Sequence, residues 1–205
     1  MRFGKMTILA VVFTISLFLV NQAYADFGKV HVKKGSIIVG SNKVLTYWVD
    51  SSVTSYGYKS AVDNGITNWD TMTSAFSINE SISDVADIKV FVGYNELPSG
   101  TFGSATYWKT NSLGSHSQVG ATSVTNGSDF NYGRIILDHY WQTQSSFGWE
   151  ERSKTAGHEV GHVLGMNHFE EAPAHSGNHW MKSGKIALLY PTLEDKQHFQ
   201  AKWGN

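Results

Sequence analysis

Short runs of β-branched and aromatic residues, bounded by glycine or polar residues, indicate strands at three places in the chain. These predicted strands are Lys43–Val49, Asp87–Val92 and Arg134–Leu137. Residues 93–133, between the last two, are rich in Gly, Ser, Thr and Asn, which have poor helix propensity. We interpret this stretch as loops with an edge strand near Gly120–Thr125.

Apolar residues at helical spacing indicate three helices. In the range 55–70 they recur at steps of four, four and three, the pattern of a helix that covers a sheet: Tyr58, Val62, Ile66 and Trp69. A second helix is predicted for 153–164 and a third for 193–203, with Thr192 as its N-cap and Asp195 in its first turn. This order of elements predicts an α+β or α/β fold with a mixed sheet.

The first 25 residues have the three-part pattern of an export signal. Arg2 and Lys5 precede an apolar run over residues 8–20, and Ala23-Tyr24-Ala25 is a small-x-small cleavage site. A retained membrane anchor is the alternative, but the run is shorter than the roughly 20 apolar residues that a bilayer span needs. We therefore expect cleavage near Asp26, a secreted, extracellular protein without membrane association, and a single domain over 26–205.

The charge balance and the absence of cysteine narrow the function classes. The chain has 16 Lys and Arg against 17 Asp and Glu, and it contains no polybasic run. Nucleic acid and charged membrane surfaces are therefore not expected as partners. Without cysteine, an exported chain of this size must be held together by its core, helped by a metal where one binds, and not by disulfides.

The segment His158-Glu159-Val160-Gly161-His162 has the spacing of a metal site on a helix. Residues 158 and 162 of a helix lie about 40° apart around the axis and roughly 6 Å along it, so both imidazoles can reach one ion. Glu159 lies about 100° from His158, where it can approach a water molecule without being a ligand. The apolar residues of this helix form a stripe on the opposite side: Ala156, Val160, Val163 and Leu164.

A glycine and a third histidine follow this helix. Gly165 can adopt the left-handed conformation that ends a helix and turns the chain back, which would return His168 to the metal. Three neutral imidazoles leave a fourth position open, as in catalytic zinc sites. Gly157 and Gly161 are unfavourable within a helix by about 0.5–1 kcal/mol each relative to alanine, so we infer close packing at both.

At these residues the chain resembles the metzincin metalloproteases, whose signature H-E-x-x-H-x-x-G-x-x-H is matched from His158 to His168. The resemblance implies a twisted, mostly parallel sheet with an active-site helix and a C-terminal helix. It also implies that Met181 forms the methionine turn beneath the metal. Some members carry a tyrosine two residues after this methionine as an extra ligand, but here that residue is Ser183, so no fifth ligand is expected.

Within the metzincins the chain looks most like a bacterial matrixin catalytic domain. The looser matches are Leu45–Val49 with its following helix, Ala86–Val90 and Ile135–Leu137. Animal matrixins have a cysteine-bearing prodomain, but this chain contains no cysteine and we expect no such prodomain. They also bind a structural zinc and calcium, but His116 and His139 do not fit that zinc pattern, and calcium in the loop Asn126–Asp129 is left open.

The sequence thus predicts a secreted zinc endopeptidase with one catalytic Zn²⁺ held by His158, His162 and His168, and with Glu159 as the general base. A protein or peptide is the expected partner, and the protein is expected to be a monomer. By the resemblance, substrate would pair with the edge strand near Gly120–Thr125. Residues 186–192 would form a wall of the specificity pocket.

Two other readings are kept open. One is a secreted module that binds glycan or cell-wall polymer and carries a non-catalytic zinc site. The other is a protease that is narrowly specific for one host protein. The remaining histidines show no ligand spacing and are expected at the surface or in turns: His31, His175, His179 and His198.

Overall fold

The computed structural model describes residues 31–205. The predicted export signal over residues 1–25 lies outside the described residues, as do residues 26–30. Within 31–205, no helix combines the length and the apolar character needed to cross a membrane.

Six strands and six helices make up this part of the chain. The strands are β1 (Val44–Val49), β2 (Ser77–Glu80), β3 (Ile88–Gly93), β4 (Gly103–Thr110), β5 (His116–Val119) and β6 (Tyr132–Asp138). The helices are α1 (Ser51–Ser55), α2 (Lys59–Asp70), α3 (Ala121–Thr125), α4 (His139–Gln144), α5 (Trp149–Val163) and α6 (Leu193–Trp203). The three predicted strands correspond to β1, β3 and β6, and the third predicted helix corresponds to α6 with the same ends.

The strands form one mixed sheet in the order β2-β1-β3-β6-β4-β5. β1 pairs in parallel with β2 and β3, and β3 pairs in parallel with β6. β4 is antiparallel to both β6 and β5. The prediction of a mixed, mostly parallel sheet with helices is therefore confirmed.

Helices α2 and α5 pack together and supply much of the core beside the sheet. The predicted apolar stripes of both helices are buried: Val62, Ile66 and Trp69 in α2 with Tyr58 at its N-cap, and Ala156, Val160 and Val163 in α5 with the adjoining Leu164. The helices approach so closely that a Cβ atom on Gly65 would lie 2.8 Å from the backbone nitrogen of Gly157. The Trp69 indole nitrogen also donates to the Gly157 carbonyl at 2.7 Å.

Two helix boundaries differ from the predictions. The predicted helix over 55–70 begins later, at Lys59, because Gly57 adopts a left-handed conformation with φ of 75° and separates α2 from the short preceding helix α1. Helix α5 starts at Trp149, four residues before its predicted start at residue 153. There the Gly148 N–H donates to the Glu151 side chain at 2.9 Å, which satisfies one exposed donor at the helix start.

The predicted edge strand near Gly120–Thr125 was wrong, since Ala121–Thr125 form helix α3. Residues 93–133 instead contain β4 and β5, which were not predicted because the polar composition of this range gave no clear strand pattern. Tertiary contacts account for the short helix, because Val124 is fully buried and its carbonyl accepts from Gly35 N at 2.9 Å. Local propensity did not reveal these contacts with the N-terminal segment.

Candidate active site

Three imidazoles converge where α5 ends. The Nε2 atom of His158 lies 3.1 Å from that of His162 and 3.1 Å from that of His168, and the last two are 2.9 Å apart. The structure therefore brings together all three histidines that the sequence singled out. It also identifies them as a group placed to hold a metal ion.

Backbone carbonyls define the protonation of two of these rings. His158 Nδ1 lies 2.7 Å from the Trp180 carbonyl, and His162 Nδ1 lies 2.9 Å from the Met166 carbonyl. A carbonyl only accepts, so each Nδ1 must carry the proton and each neutral ring then presents an Nε2 lone pair. Two lone pairs 3.1 Å apart repel each other, and a cation between them removes that repulsion. The donor set thus fits zinc.

Gly165 returns the chain to this centre as predicted. Its φ of 90° is left-handed, and the Met166 N–H donates to the Gly161 carbonyl at 2.9 Å across the helix end. Beyond the turn, the Phe169 N–H donates to the Met181 carbonyl at 3.0 Å. His168 is therefore fixed from both sides, by the helix end and by the segment that contains Met181.

Met181 lies fully buried against α5. A Cβ atom on Gly161 would lie 2.5 Å from the Met181 sulfur, and one on Gly157 would lie 2.2 Å from the Trp180 ring. Glycine is required at both positions because the Trp180-Met181 turn packs directly on the helix backbone. The close packing inferred at Gly157 and Gly161 is confirmed, and both glycines pack against the Trp180-Met181 turn.

Glu159 is buried next to strand β4. A Cβ atom on Gly103 would lie 2.8 Å from Glu159 Oε1, and the backbone of Ala105 hydrogen-bonds to the carboxylate. Burial raises the pKa of Glu159 to about 8, while the charges of Lys154 and Lys33 and the Ala105 hydrogen bond act in the opposite direction. A cation held by the adjacent histidines would act like the two lysines and lower the pKa of Glu159.

Two buried lysines flank Glu159. Lys33 Nζ donates to the carbonyls of His162 and Met166 at 3.2 and 2.5 Å, and Lys154 Nζ donates to the Lys182 carbonyl. Burial lowers the pKa of Lys33 to about 7 and that of Lys154 to about 8. Lys33 has no regular spacing from the motif, whereas Lys154 precedes His158 by four residues, a spacing of one helical turn that could have indicated it.

The three histidines and Glu159 lie in an open cleft of about 700 Å³. The cleft is also lined by residues 100–105 at the start of β4, by α3, and by Ser183 and Gly184. The expected wall over residues 186–192 is absent from this lining. Tyr190 in that range is instead largely exposed, and the Leu188 carbonyl accepts from the Trp180 indole at 2.9 Å.

The remaining four histidines were expected at the surface or in turns, and this expectation was wrong for three of them. His31, His179 and His198 are buried, and His175 is half-buried. His31, His175 and His198 moreover form a second group placed to hold a metal ion. Spacing along the chain did not reveal this group because its members come from three distant segments.

No protein-family model matches the chain, and no curated protein sequence matches it. Among solved structures, that of myroilysin is similar, with a TM-score of 0.44 and 14% sequence identity over 85% of this chain and 98% of that chain. The function proposed for the present chain is therefore derived from the geometry of its own site.

Proposed function

We propose that the protein is a secreted zinc-dependent endopeptidase of the metzincin, matrixin-like type. The observation that carries the proposal is the convergence of His158, His162 and His168, with the carboxylate of Glu159 buried next to them in an open cleft. Zinc, when bound, supplies a Lewis acid that polarises a peptide carbonyl and makes water a nucleophile near neutral pH.

Glu159 moves the proton in this proposal. Its carboxylate accepts a proton from the attacking water and then gives it to the nitrogen of the departing amine. The flanking ammonium groups of Lys33 and Lys154 favour the ionised carboxylate that the first step requires. The hydrogen bond from the Ala105 backbone holds that carboxylate beside β4.

The outer edge of β4 is the proposed docking site for an extended peptide. β4 pairs with β6 over Gly103–Trp108, but it pairs with β5 only over Tyr107–Thr110. Within residues 31–205, the outer edge of residues 103–106 therefore has no strand partner, and it lines the cleft beside Glu159. A substrate strand added here would gain main-chain hydrogen bonds, in place of the pairing expected at Gly120–Thr125.

Export and an extracellular protein substrate complete the proposal. Export rests on the three-part pattern of residues 1–25, and the protein substrate follows from the proposed peptidase chemistry. We further propose that the protein acts as a monomer with a single catalytic zinc.

Casein or gelatin cleavage by a Glu159→Gln variant tests the function. We expect hydrolysis to fall about 10²–10⁴-fold while zinc at the three histidines is retained, because the glutamate moves protons and is not a ligand. Glu150→Gln, which changes an exposed glutamate in the first turn of the same helix, is the matched control and should leave turnover unchanged.

Two results would contradict the proposal. A Glu159→Gln variant that cleaves as fast as the wild-type protein would remove Glu159 from the chemistry. Wild-type protein that holds zinc but cleaves no member of a broad peptide library would instead favour a binding module with a non-catalytic site.

A further inference from the structure

A second set of three histidines converges away from the cleft. His31 precedes β1, His175 lies in the loop between His168 and Met181, and His198 lies in α6. One ring nitrogen of each lies within 4.8 Å of those of the other two. Among the His, Cys, Asp and Glu side chains of residues 31–205, only this set and the candidate active site are grouped in this way.

One nitrogen pair of the second set is as close as any pair of the first. His175 Nε2 and His198 Nε2 are 2.9 Å apart, the same distance as between His162 Nε2 and His168 Nε2. Ring centroids in the second set are 4.8, 4.9 and 5.0 Å apart, against 4.5, 4.5 and 5.1 Å in the first. The rings of the second set are therefore spaced like those of the first, and all three offer a nitrogen within 4.8 Å of the other two.

The second set is enclosed by buried, apolar surroundings. His31 and His198 are fully buried, and the Phe169 ring packs against all three histidines at centroid distances of 4.9 to 5.1 Å. Apolar packing around neutral nitrogen donors is typical of a metal site enclosed within the protein.

Both ring nitrogens of His31 contact backbone carbonyls. Its Nδ1 lies 3.0 Å from the His168 carbonyl and its Nε2 lies 2.9 Å from the Pro173 carbonyl. A neutral ring has one N–H and donates to only one of these oxygens, so its other nitrogen retains a lone pair. His31 differs in this respect from His158 and His162, whose Nε2 atoms face the other imidazoles, so a metal bound to His31 would replace one of its two carbonyl contacts.

We propose that His31, His175 and His198 bind a second divalent transition-metal ion, with zinc as the ion suited to this donor set. The site joins the N-terminal segment, the loop after His168 and helix α6, so its role is structural. It goes beyond the proposed peptidase function and does not depend on it. His179 is nearby but is not among the three nitrogens that lie within 4.8 Å of one another, and its own nitrogens contact Thr192 Oγ1 and the Ser176 carbonyl at 2.8 and 2.7 Å.

Metal analysis of variants tests this second site. Zinc-loaded protein, freed of excess metal and analysed by mass spectrometry, should contain two ions per wild-type chain and one per chain after His175→Ala. The double variant His158→Ala/His162→Ala should also retain one, and adding His175→Ala should remove it. His179→Ala is the matched control and should retain two.

A stability measurement separates metal loss from misfolding. In the His158→Ala/His162→Ala background, chelation should lower the melting temperature by about 10 °C, and after addition of His175→Ala it should have no effect. Far-UV circular dichroism checks the fold of each variant, and His175→Gln repeats the test with a milder change. One ion per wild-type chain, or folded His175 variants that keep two, would overturn the proposal and leave a histidine cluster held by hydrogen bonds alone.

Discussion

Asp195 Oδ1 accepts a hydrogen bond from the backbone nitrogen of Met181 at 3.1 Å. Its Oδ2 accepts from Trp180 N at 3.0 Å, and the Trp180 carbonyl in turn accepts from His158 Nδ1 at 2.7 Å. The fully buried carboxylate of helix α6 therefore positions the turn that orients a candidate metal ligand of helix α5. The same Oδ2 also accepts from Thr192 N at 2.8 Å and so caps α6.

Asp195→Asn should destabilise this turn. Both carboxylate oxygens accept backbone N–H groups, and an amide supplies only one acceptor oxygen, so one or more buried donors lose their partner. We expect a loss of about 1–3 kcal/mol in the free energy of unfolding, measured by urea denaturation. Asp63→Asn, which alters a half-exposed carboxylate paired with Lys59, is the control and should cost less than about 1 kcal/mol. Equal effects of the two changes would contradict the anchoring role of Asp195.

Gly157→Ala should destabilise the protein although alanine is the better helix former. The gain in helix propensity is about 0.5–1 kcal/mol, whereas overpacking of a core costs about 1–3 kcal/mol. The new Cβ would lie 2.2 Å from the Trp180 ring, which is buried and held by its hydrogen bond to the Leu188 carbonyl. The steric cost therefore outweighs the propensity gain.

A double-mutant cycle isolates this contact. In a Trp180→Leu background the ring is gone, and Gly157→Ala should become neutral or mildly stabilising by thermal or urea unfolding. The same cost in both backgrounds would show that the glycine is needed for another reason.

Gly103→Ala should slow turnover with little effect on metal content. The added methyl group would lie 2.8 Å from Glu159 Oε1 and would push the carboxylate away from its position beside β4. Because small displacements of a catalytic group can cost about 10²-fold in rate, we expect kcat to fall 10- to 100-fold with bound zinc unchanged. Ser104→Ala, at the next cleft residue, is the control. A kcat for Gly103→Ala equal to that of the control would contradict this placement of Glu159.

The features that could be predicted from sequence are those encoded locally. The apolar spacing from Tyr58 to Trp69, the cap at Thr192 and the turn at Gly165 each depend on a few neighbouring residues, and the structure confirms all three. The convergence of the motif histidines could also be predicted, because helix geometry places His158 and His162 on one side.

The features that were missed depend on distant segments. Helix α3 forms where Val124 meets Gly35, and the site lysine Lys33 comes from before β1. The second histidine set likewise joins His31 to His198 across most of the chain. Periodicity and spacing report on local neighbours only, so such contacts had no sequence signal to reveal them.

Anomalous X-ray scattering at the zinc edge from crystals of the zinc-loaded wild-type protein tests the candidate centre most directly. We expect an anomalous peak about 2.0–2.1 Å from the Nε2 atoms of His158, His162 and His168. A map with no peak between these three nitrogens, from crystals shown to contain zinc, would contradict the metal centre on which the proposed peptidase depends.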